Sequence, residues 1–395
     1  MIFHDLVVIG GGMAAMAAVK SFRSRDTVST IMMLSDQSDM PVRKPPLSKQ
    51  LWKGMAVSDC FYNPARFGVE YHPATRVTEA DFDRHLLTLS SGEKVRYEQL
   101  LIATGLQPRR LPGDCAEAVY FNSLADFRRV RQKLAAGGSA VVIGGGLLGV
   151  ELASSLSANG IRVKLVISSE APLTGYLSEP LAVRIRARLQ AAGIECITGR
   201  RAIRLEPGGR VQLSDGKQLD ADVVIPVIGQ QPSVDFVSHD PEVSRHGLAV
   251  DARLRIKGLE DVFACGDVAR FGVQASSFRH EENALRSGAA AGRNLAGDDV
   301  QFKPSSFLYS EFLDMRLESI GVGNAAEMKA IGEDWSDSKE QGICILTEDD
   351  LVRRVSMVNY RMDSETAEML SSRLIGRSAE ADQLQIVRTV LKPAA

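Results

Sequence analysis

Two short apolar runs rich in branched side chains, each broken by a cluster of glycines and followed by small residues, recur along the chain. In LVVIGGGMAAMAAVKSF the pattern predicts a strand, a tight turn and a helix, and the apolar run TIMML predicts the next strand. SAVVIGGGLLGVELASSLSANGIRVKLVIS repeats the design, with a second helix and a second β-rich run. Nearer the C-terminus, GICILTEDDLVRRVSMVNY reads as two strands around an acidic turn. SETAEMLSSRLIG follows as an amphipathic helix capped by its serine. Strand, helix and strand in alternation predict an α/β protein.

Composition narrows the class. With 395 residues, 45% of them hydrophobic and 24% charged, the chain has room for two or three domains with substantial cores. Forty-seven basic residues against 49 acidic ones leave a net charge of −2, which offers no global attraction for nucleic acid or a membrane surface. The five cysteines, Cys60, Cys115, Cys196, Cys265 and Cys344, form no C-x-x-C pair, so neither a zinc site nor a dithiol redox motif is indicated and no metal is expected. HDLVVIGGG runs almost directly from the first residues into a strand, and no apolar segment reaches membrane length; the expected location is cytoplasmic.

The glycines carry the first chemistry. Gly10, Gly12 and Ala15 keep the G-x-G-x-x-G/A spacing, which gives a tight turn, a close approach for a pyrophosphate and close helix packing. The helix N-terminus then faces the phosphates. Asp36, 21 residues after Ala15, stands where a carboxylate accepts hydrogen bonds from a ribose. Gly144, Gly146 and Gly149 repeat the spacing, and Glu170 lies at the same offset from Gly149. Two such units imply two dinucleotide sites in one chain and electron traffic between them.

Further along, LLIATGLQPR, VVIPVIGQQP and GLAVDARLRIKGLEDVFACGDVA complete an ordered set of motifs. Together with the glycine turns they resemble the flavoproteins with two dinucleotide-binding domains, which pair FAD with NAD(P)H. The resemblance spans about three quarters of the chain. It implies two Rossmann-like domains and a C-terminal α+β interface domain, as in glutathione-reductase-like proteins. The boundaries expected are 1–108 with 233–303 for FAD, 109–232 for NAD(P)H, and 304–395 for the interface domain; a homodimer is a further partner the reading admits. Ala103, Thr104, Gly105, Gly266 and Asp267 match FAD-binding positions of the family; Gly229 and Pro232 match the segment where the chain returns.

KPPLSKQLW, from Lys44 to Trp52, is similar to the RPPLSK segment of the ferredoxin-reductase and apoptosis-inducing-factor subgroup. By that match Lys44 contacts the cofactor, and Lys49 lies beside the flavin and pairs with Glu151. An ammonium near flavin N5 stabilises electron density arriving there, and the prolines restrict the loop that carries it. Disulfide reductases of the wider family carry a cysteine pair on the early helix; this chain has Ser48 in the corresponding segment, so electrons are expected to leave the flavin directly. His280 falls where apoptosis-inducing-factor-like proteins present a histidine to the flavin. Tyr309, in SSFLYSEF, falls at the tryptophan of the family's FWSD segment.

Three departures shape the functional expectation. Ile167 replaces an acid common in NADH-preferring relatives, with Glu170 left to serve the ribose and no arginine directly after Ser168 and Ser169, so the reading leans to NADH over NADPH. Lys44 replaces an arginine and loses its bidentate geometry. The positions around Arg279 and Glu281 also differ from the family pattern. The leading expectation is an FAD enzyme that passes a hydride from NAD(P)H to flavin N5 and then electrons to a ferredoxin- or rubredoxin-type partner. Arg43, Lys44, Arg109 and Arg110 offer a basic rim for such a partner. The alternatives are an apoptosis-inducing-factor-like sensor or scaffold with slow turnover, and a flavin oxidase or tailoring enzyme.

Overall fold

The structure is a computed structural model that describes residues 2–113, 115–134, 137–237, 241–272, 279–380 and 383–393. The first stretch contains β1 (Ile2–Ile9), α1 (Met13–Arg23), β2 (Ile31–Leu34), β3 (Val69–His72), β4 (Val77–Asp81), β5 (Leu86–Leu89) and β6 (Lys94–Ile102). β7 (Leu106–Pro108) leads out to α2 (Leu124–Lys133), β8 (Ser139–Ile143), α3 (Leu147–Ala158), β9 (Arg162–Val166), α4 (Glu179–Ala191) and β10 (Glu195–Ile197). A meander of β11 (Ala202–Glu206), β12 (Arg210–Leu213) and β13 (Gln218–Asp220) follows, then β14 (Val223–Pro226) and the returning β15 (Gln230–Pro232). Next come α5 (Pro241–His246), β16 (Leu248–Ala249), β17 (Val262–Ala264), β18 (Ala269–Arg270) and α6 (Glu281–Leu295). The C-terminal part holds β19 (Leu308–Phe312), β20 (Met315–Gly321), β21 (Lys329–Ser336), β22 (Gln341–Glu348), β23 (Leu351–Val358), β24 (Tyr360–Arg361), α7 (Ser364–Leu374), α8 (Gln383–Val390) and β25 (Lys392–Pro393).

Branched and apolar residues on both faces of β1 and β2 make them interior strands of the parallel part of a mixed sheet, in which β4 and β5 join antiparallel. The order is β3-β2-β1-β6-β5-β4, with β17 also paired to β6, so residues far apart in sequence complete one sheet. Its core joins Leu6, Val8, Met33 and Ile102 to α1 and α6. The two helices touch backbone to backbone at Gly288 and Gly292, where an added Cβ would lie 2.2 and 2.0 Å from the carbonyl oxygens of Ala14 and Ala18.

The second sheet, β10-β9-β8-β14, repeats the parallel design on a smaller scale. Its connections to the first are the antiparallel strands β7 and β15, paired from Gln230 opposite Pro108 to Pro232 opposite Leu106. The C-terminal sheet is antiparallel, β19-β20-β23-β22-β21, and α7 and α8 cover one face. The acidic turn between β22 and β23 places Asp349 and Asp350 at φ of 52° and 55°, the left-handed geometry of a tight hairpin. One expectation is corrected: the cap of α7 is Asp363, whose carboxylate accepts from the Thr366 N–H, and Ser364 is the first helical residue. Aspartate serves because an ionised oxygen accepts strongly from the free N–H groups of a first turn.

Candidate functional site

A cleft opens where β1, β2 and β6 end. Gly10, at φ 111°, turns the chain there; a Cβ on it would lie 2.3 Å from the Ala103 carbonyl oxygen. α1 starts at Gly12 with no side chain capping its N–H groups, so the helix end is available to an anion. Ala15 is fully buried, Asp36 is exposed at the cleft wall beyond β2, and Gln37 donates to its carboxylate. Across the cleft, Gly266 at φ 70° approaches Ala14, and its N–H donates to Ser287. Gly105, at φ 67°, and Thr104, whose hydroxyl donates to the Ser233 carbonyl, tie the cleft wall to the returning chain.

Charge in the cleft is balanced internally. Lys44 lines the cleft with its side chain exposed there, and donates to Asn122 Oδ1 at 3.1 Å. Desolvation pushes its pKa down, against the pull of Asp267, Asp36 and Asp126. Desolvation likewise raises Asp267, while Lys44 and Arg279 oppose the shift.

The loop bearing the two prolines forms one 3₁₀ turn at Pro45–Ser48 and another at Gln50–Lys53, and Lys49 is the residue between them. Its ammonium reaches Glu151 Oε1 at 2.9 Å, with both side chains 10% exposed. Ser48 donates to Glu151 Oε2 at 2.6 Å, and Ser310 of β19 donates to Oε1 at 2.5 Å. Lys49 also lies 5.4 Å from the centre of the Tyr309 ring, while the Arg316 guanidinium lies 4.2 Å from it. Tyr309 is 39% exposed rather than interior, with its hydroxyl 3.4 Å from Glu281 Oε2. His280 is the residue before α6; burial pushes its pKa down to about 4, with the Arg286 charge adding to the shift and a backbone bond at Ser305 opposing it. The imidazole is therefore neutral near pH 7.

The second glycine turn copies the first. Gly144 has φ 127°, Gly146 precedes α3 without a side-chain cap, and a Cβ on Gly149 would meet the Gly144 carbonyl oxygen at 1.9 Å. Ile167 is buried against Gly145. Glu170 does not point into this turn: its carboxylate packs at Gly199, where a Cβ would come within 2.7 Å of Oε1. The backbone explains this, because Ser169 and Gly199 are hydrogen-bonded at the ends of their strands and Arg186 grips the Glu170 carbonyl. Gly229, at φ 105°, accepts from the Arg109 N–H where the chain returns.

Sequence reading missed Ser48, Ser310 and Asn122 as partners of the site. Ser48 sits inside the quoted motif, so its position was available; Ser310 is 159 residues from Glu151, and no local pattern joins them.

The sheets, the uncapped helix ends and the paired glycine turns define a protein with two dinucleotide sites. Residues 4–288 match the pyridine nucleotide-disulphide oxidoreductase family, and the chain belongs to it. It is therefore an oxidoreductase, and the family implies FAD and a nicotinamide dinucleotide as its ligands. The cleft residues fit FAD: an open helix N-terminus for the pyrophosphate, free space at Gly12, and a carboxylate at Asp36 for the ribose. Among relatives, the ferredoxin–NAD(+) reductase component of the biphenyl dioxygenase system of Paraburkholderia xenovorans is 26% identical over 404 residues, 98% of this chain and 97% of that one. A protein of Drosophila melanogaster named as a mitochondrial apoptosis-inducing factor 1 is 27% identical over 80% of this chain, which spans only 50% of its length. In fold, the chain resembles putidaredoxin reductase in its covalent complex with putidaredoxin, with a TM-score of 0.82 and 23% identity over 98% of both chains. Among the described residues no helix is long and apolar enough to cross a membrane, and no cluster suits a metal ion.

Proposed function

We propose that the chain is an FAD-dependent NAD(P)H oxidoreductase that delivers electrons to a small carrier of the ferredoxin or rubredoxin type. Bound FAD supplies a two-electron acceptor able to release electrons one at a time. In this reading residues 1–108 with 233–303 hold FAD, 109–232 hold the nicotinamide nucleotide, and 304–395 cover the flavin side. Gly10, Gly12 and the start of α1 take the pyrophosphate, Asp36 the ribose, and Lys44 and Asp267 the middle of the cofactor. Lys49, fixed by Glu151, presents a cation to the flavin, and Tyr309 and His280 shape the faces through which electrons enter and leave.

The observation that carries the reading is the Lys49–Glu151 contact of 2.9 Å, which joins the proline loop beside the first site to the helix that starts at the second glycine turn. A direct exit for electrons is supported by the thiols. All five cysteines are free, and burial pushes Cys60 up and Cys265 to about 12, which leaves neither as a ready thiolate. The resemblance to dioxygenase-system reductases supports an iron–sulfur carrier as the acceptor.

For the donor we favour NADH. Arg186 is committed to the Glu170 carbonyl and Arg200 to Asp215 at 2.5 Å, so these two guanidinium groups are already engaged rather than held open for a 2′-phosphate. With Glu170 turned to Gly199, the ribose contact rests on other groups, and the preference is expected to be modest: about tenfold, the scale of one lost hydrogen bond.

An anaerobic stopped-flow titration with NADH and with NADPH tests the reading. Rapid bleaching of the flavin by NADH, slowed at least tenfold in Lys49→Ala with FAD retained, is expected. Full turnover is expected only on adding a ferredoxin or rubredoxin. No reduction by either nucleotide would overturn it. The apoptosis-inducing-factor relative and His280 favour one second reading, a slowly turning NADH-responsive protein, which slow bleaching with a persistent long-wavelength band would select.

A further inference from the structure

Glu151 is the meeting point of three parts of the chain. It rides on α3, and its carboxylate accepts from Lys49 and Ser48 of the proline loop and from Ser310 of the C-terminal sheet. Along β19 the inward positions are Leu308, Ser310 and Phe312, so a hydroxyl stands in an otherwise apolar row and is fully buried. A buried hydroxyl without a partner is costly, and this one is spent on a carboxylate oxygen that Lys49 already shares. The neighbouring residue on the same strand, Tyr309, faces the Lys49 ammonium with its ring. One strand therefore reaches Lys49 twice, directly through Tyr309 and indirectly through Ser310 and Glu151.

We propose that Ser310 is a positioning residue through which the C-terminal sheet fixes the Glu151 carboxylate and, through it, the Lys49 ammonium. The physical reason lies in the donor count at the carboxylate. Three donors converge on the Glu151 carboxylate in a nearly dry site, and charge-assisted bonds of this length are strong ones. With the Ser310 donor removed, Glu151 Oε1 loses the bond that anchors it to β19, and the carboxylate is free to swing away from Lys49. The result is a looser ion pair, with the Lys49 ammonium no longer held at one place beside the Tyr309 ring. The consequence for the flavin rests on the proposed placement of Lys49 beside it; the coupling of Ser310 to Lys49 does not.

The test therefore reads Lys49 first without cofactor and then the bound flavin. In the apoprotein, the acylation rate of Lys49 by acetic anhydride, measured by mass spectrometry against the surface lysines, should rise about tenfold in Ser310→Ala, because a side chain released from its ion pair is the more accessible nucleophile. Ser310→Thr, which keeps the hydroxyl, should restore the slow rate. Glu151→Gln should also raise it. Ser319→Ala removes a buried hydroxyl of the adjacent strand that bonds Ser356 at 2.8 Å, and should leave Lys49 unchanged. In the FAD-loaded protein the flavin midpoint potential of Ser310→Ala should move to more negative values, with Thr again restoring it. Equal labelling of Lys49 in wild type, Ser310→Ala and Glu151→Gln would overturn the proposal. A changed labelling rate with an unchanged potential would support the coupling and overturn the placement of Lys49 at the flavin.

Discussion

His280 shows how burial decides the state of a single group. Its pKa falls from the ordinary 6.5 to about 4, first by desolvation and then by the Arg286 charge, so the folded protein resists a proton that the unfolded chain accepts. Between those values the unfolded state binds more protons, and stability must rise with pH. The His280 contribution is fully intact above pH 6.5 and is lost progressively as the pH falls towards 4, by up to roughly 3 kcal/mol below both values. Urea unfolding at pH 7 and at pH 4.5 should reveal this as a shared slope that His280→Gln flattens. An unaltered slope in the variant would assign the acid sensitivity to other groups. Lys49 meets burial differently, with a carboxylate partner 2.9 Å away in a nearly buried ion pair.

The two strand–turn–helix elements explain why small residues alternate with spaces. At Gly12 and at Gly146 an added Cβ would meet nothing within 4 Å, and the φ values of −96° and −80° suit any L-residue. Neither position needs glycine for its own fold; each leaves room at a helix N-terminus for a dinucleotide to approach. Gly12→Ala and Gly146→Ala should therefore fold with stability changed by no more than about 1 kcal/mol. Gly12→Ala should lose FAD, seen in the flavin content of the purified protein. Gly146→Ala should keep FAD and weaken NADH binding at least about tenfold, since the extra methyl displaces the pyrophosphate from the helix end. Retained binding in either variant would mean that the ligand does not cross that turn. These turns were legible in the sequence because their geometry is local: a positive φ at Gly10 and Gly144 and a close helix at Gly149 each demand glycine within a few residues. The pairing of Lys49 with Glu151 came through the motif resemblance. The Ser310 bond stayed hidden because strand alternation gives burial but not the partner across a fold. Glu170 shows the limit of an offset: its spacing repeats that of Asp36, while its carboxylate packs at Gly199, whose N–H is bonded to the Ser169 carbonyl. The five-stranded C-terminal sheet was seen only at its central hairpin, where Asp349 and Asp350 mark the turn; its edges depend on long-range pairing.

At the scale of the whole molecule, the hydrophobic cores do not follow the order of the chain. One core belongs to the first sheet with α1 and α6. A second joins Leu51 and Trp52 of the proline loop, Leu165, Leu181 and Ile225 around the second sheet, and Phe312, Leu317, Leu346 and Val358 of the C-terminal sheet. Ion pairs such as Arg184–Asp337 and Arg188–Asp314 also cross this seam, but they are solvent-exposed and contribute little beside the apolar contact. The second sheet and the C-terminal sheet should therefore unfold together, with the first sheet as a separate unit. Calorimetry of the apoprotein is expected to show two transitions. FAD should raise the one belonging to the first sheet, by about 2.7 kcal/mol at a hundredfold excess over its Kd, and act less on the other. Ending the chain after residue 303 strips Leu181 and its neighbours of cover, so the shared transition should broaden or vanish while the FAD-sensitive one survives. A single transition that FAD moves as a whole would instead mean that the contacts of the proline loop, centred on Lys49 and Glu151, bind the two cores into one cooperative unit.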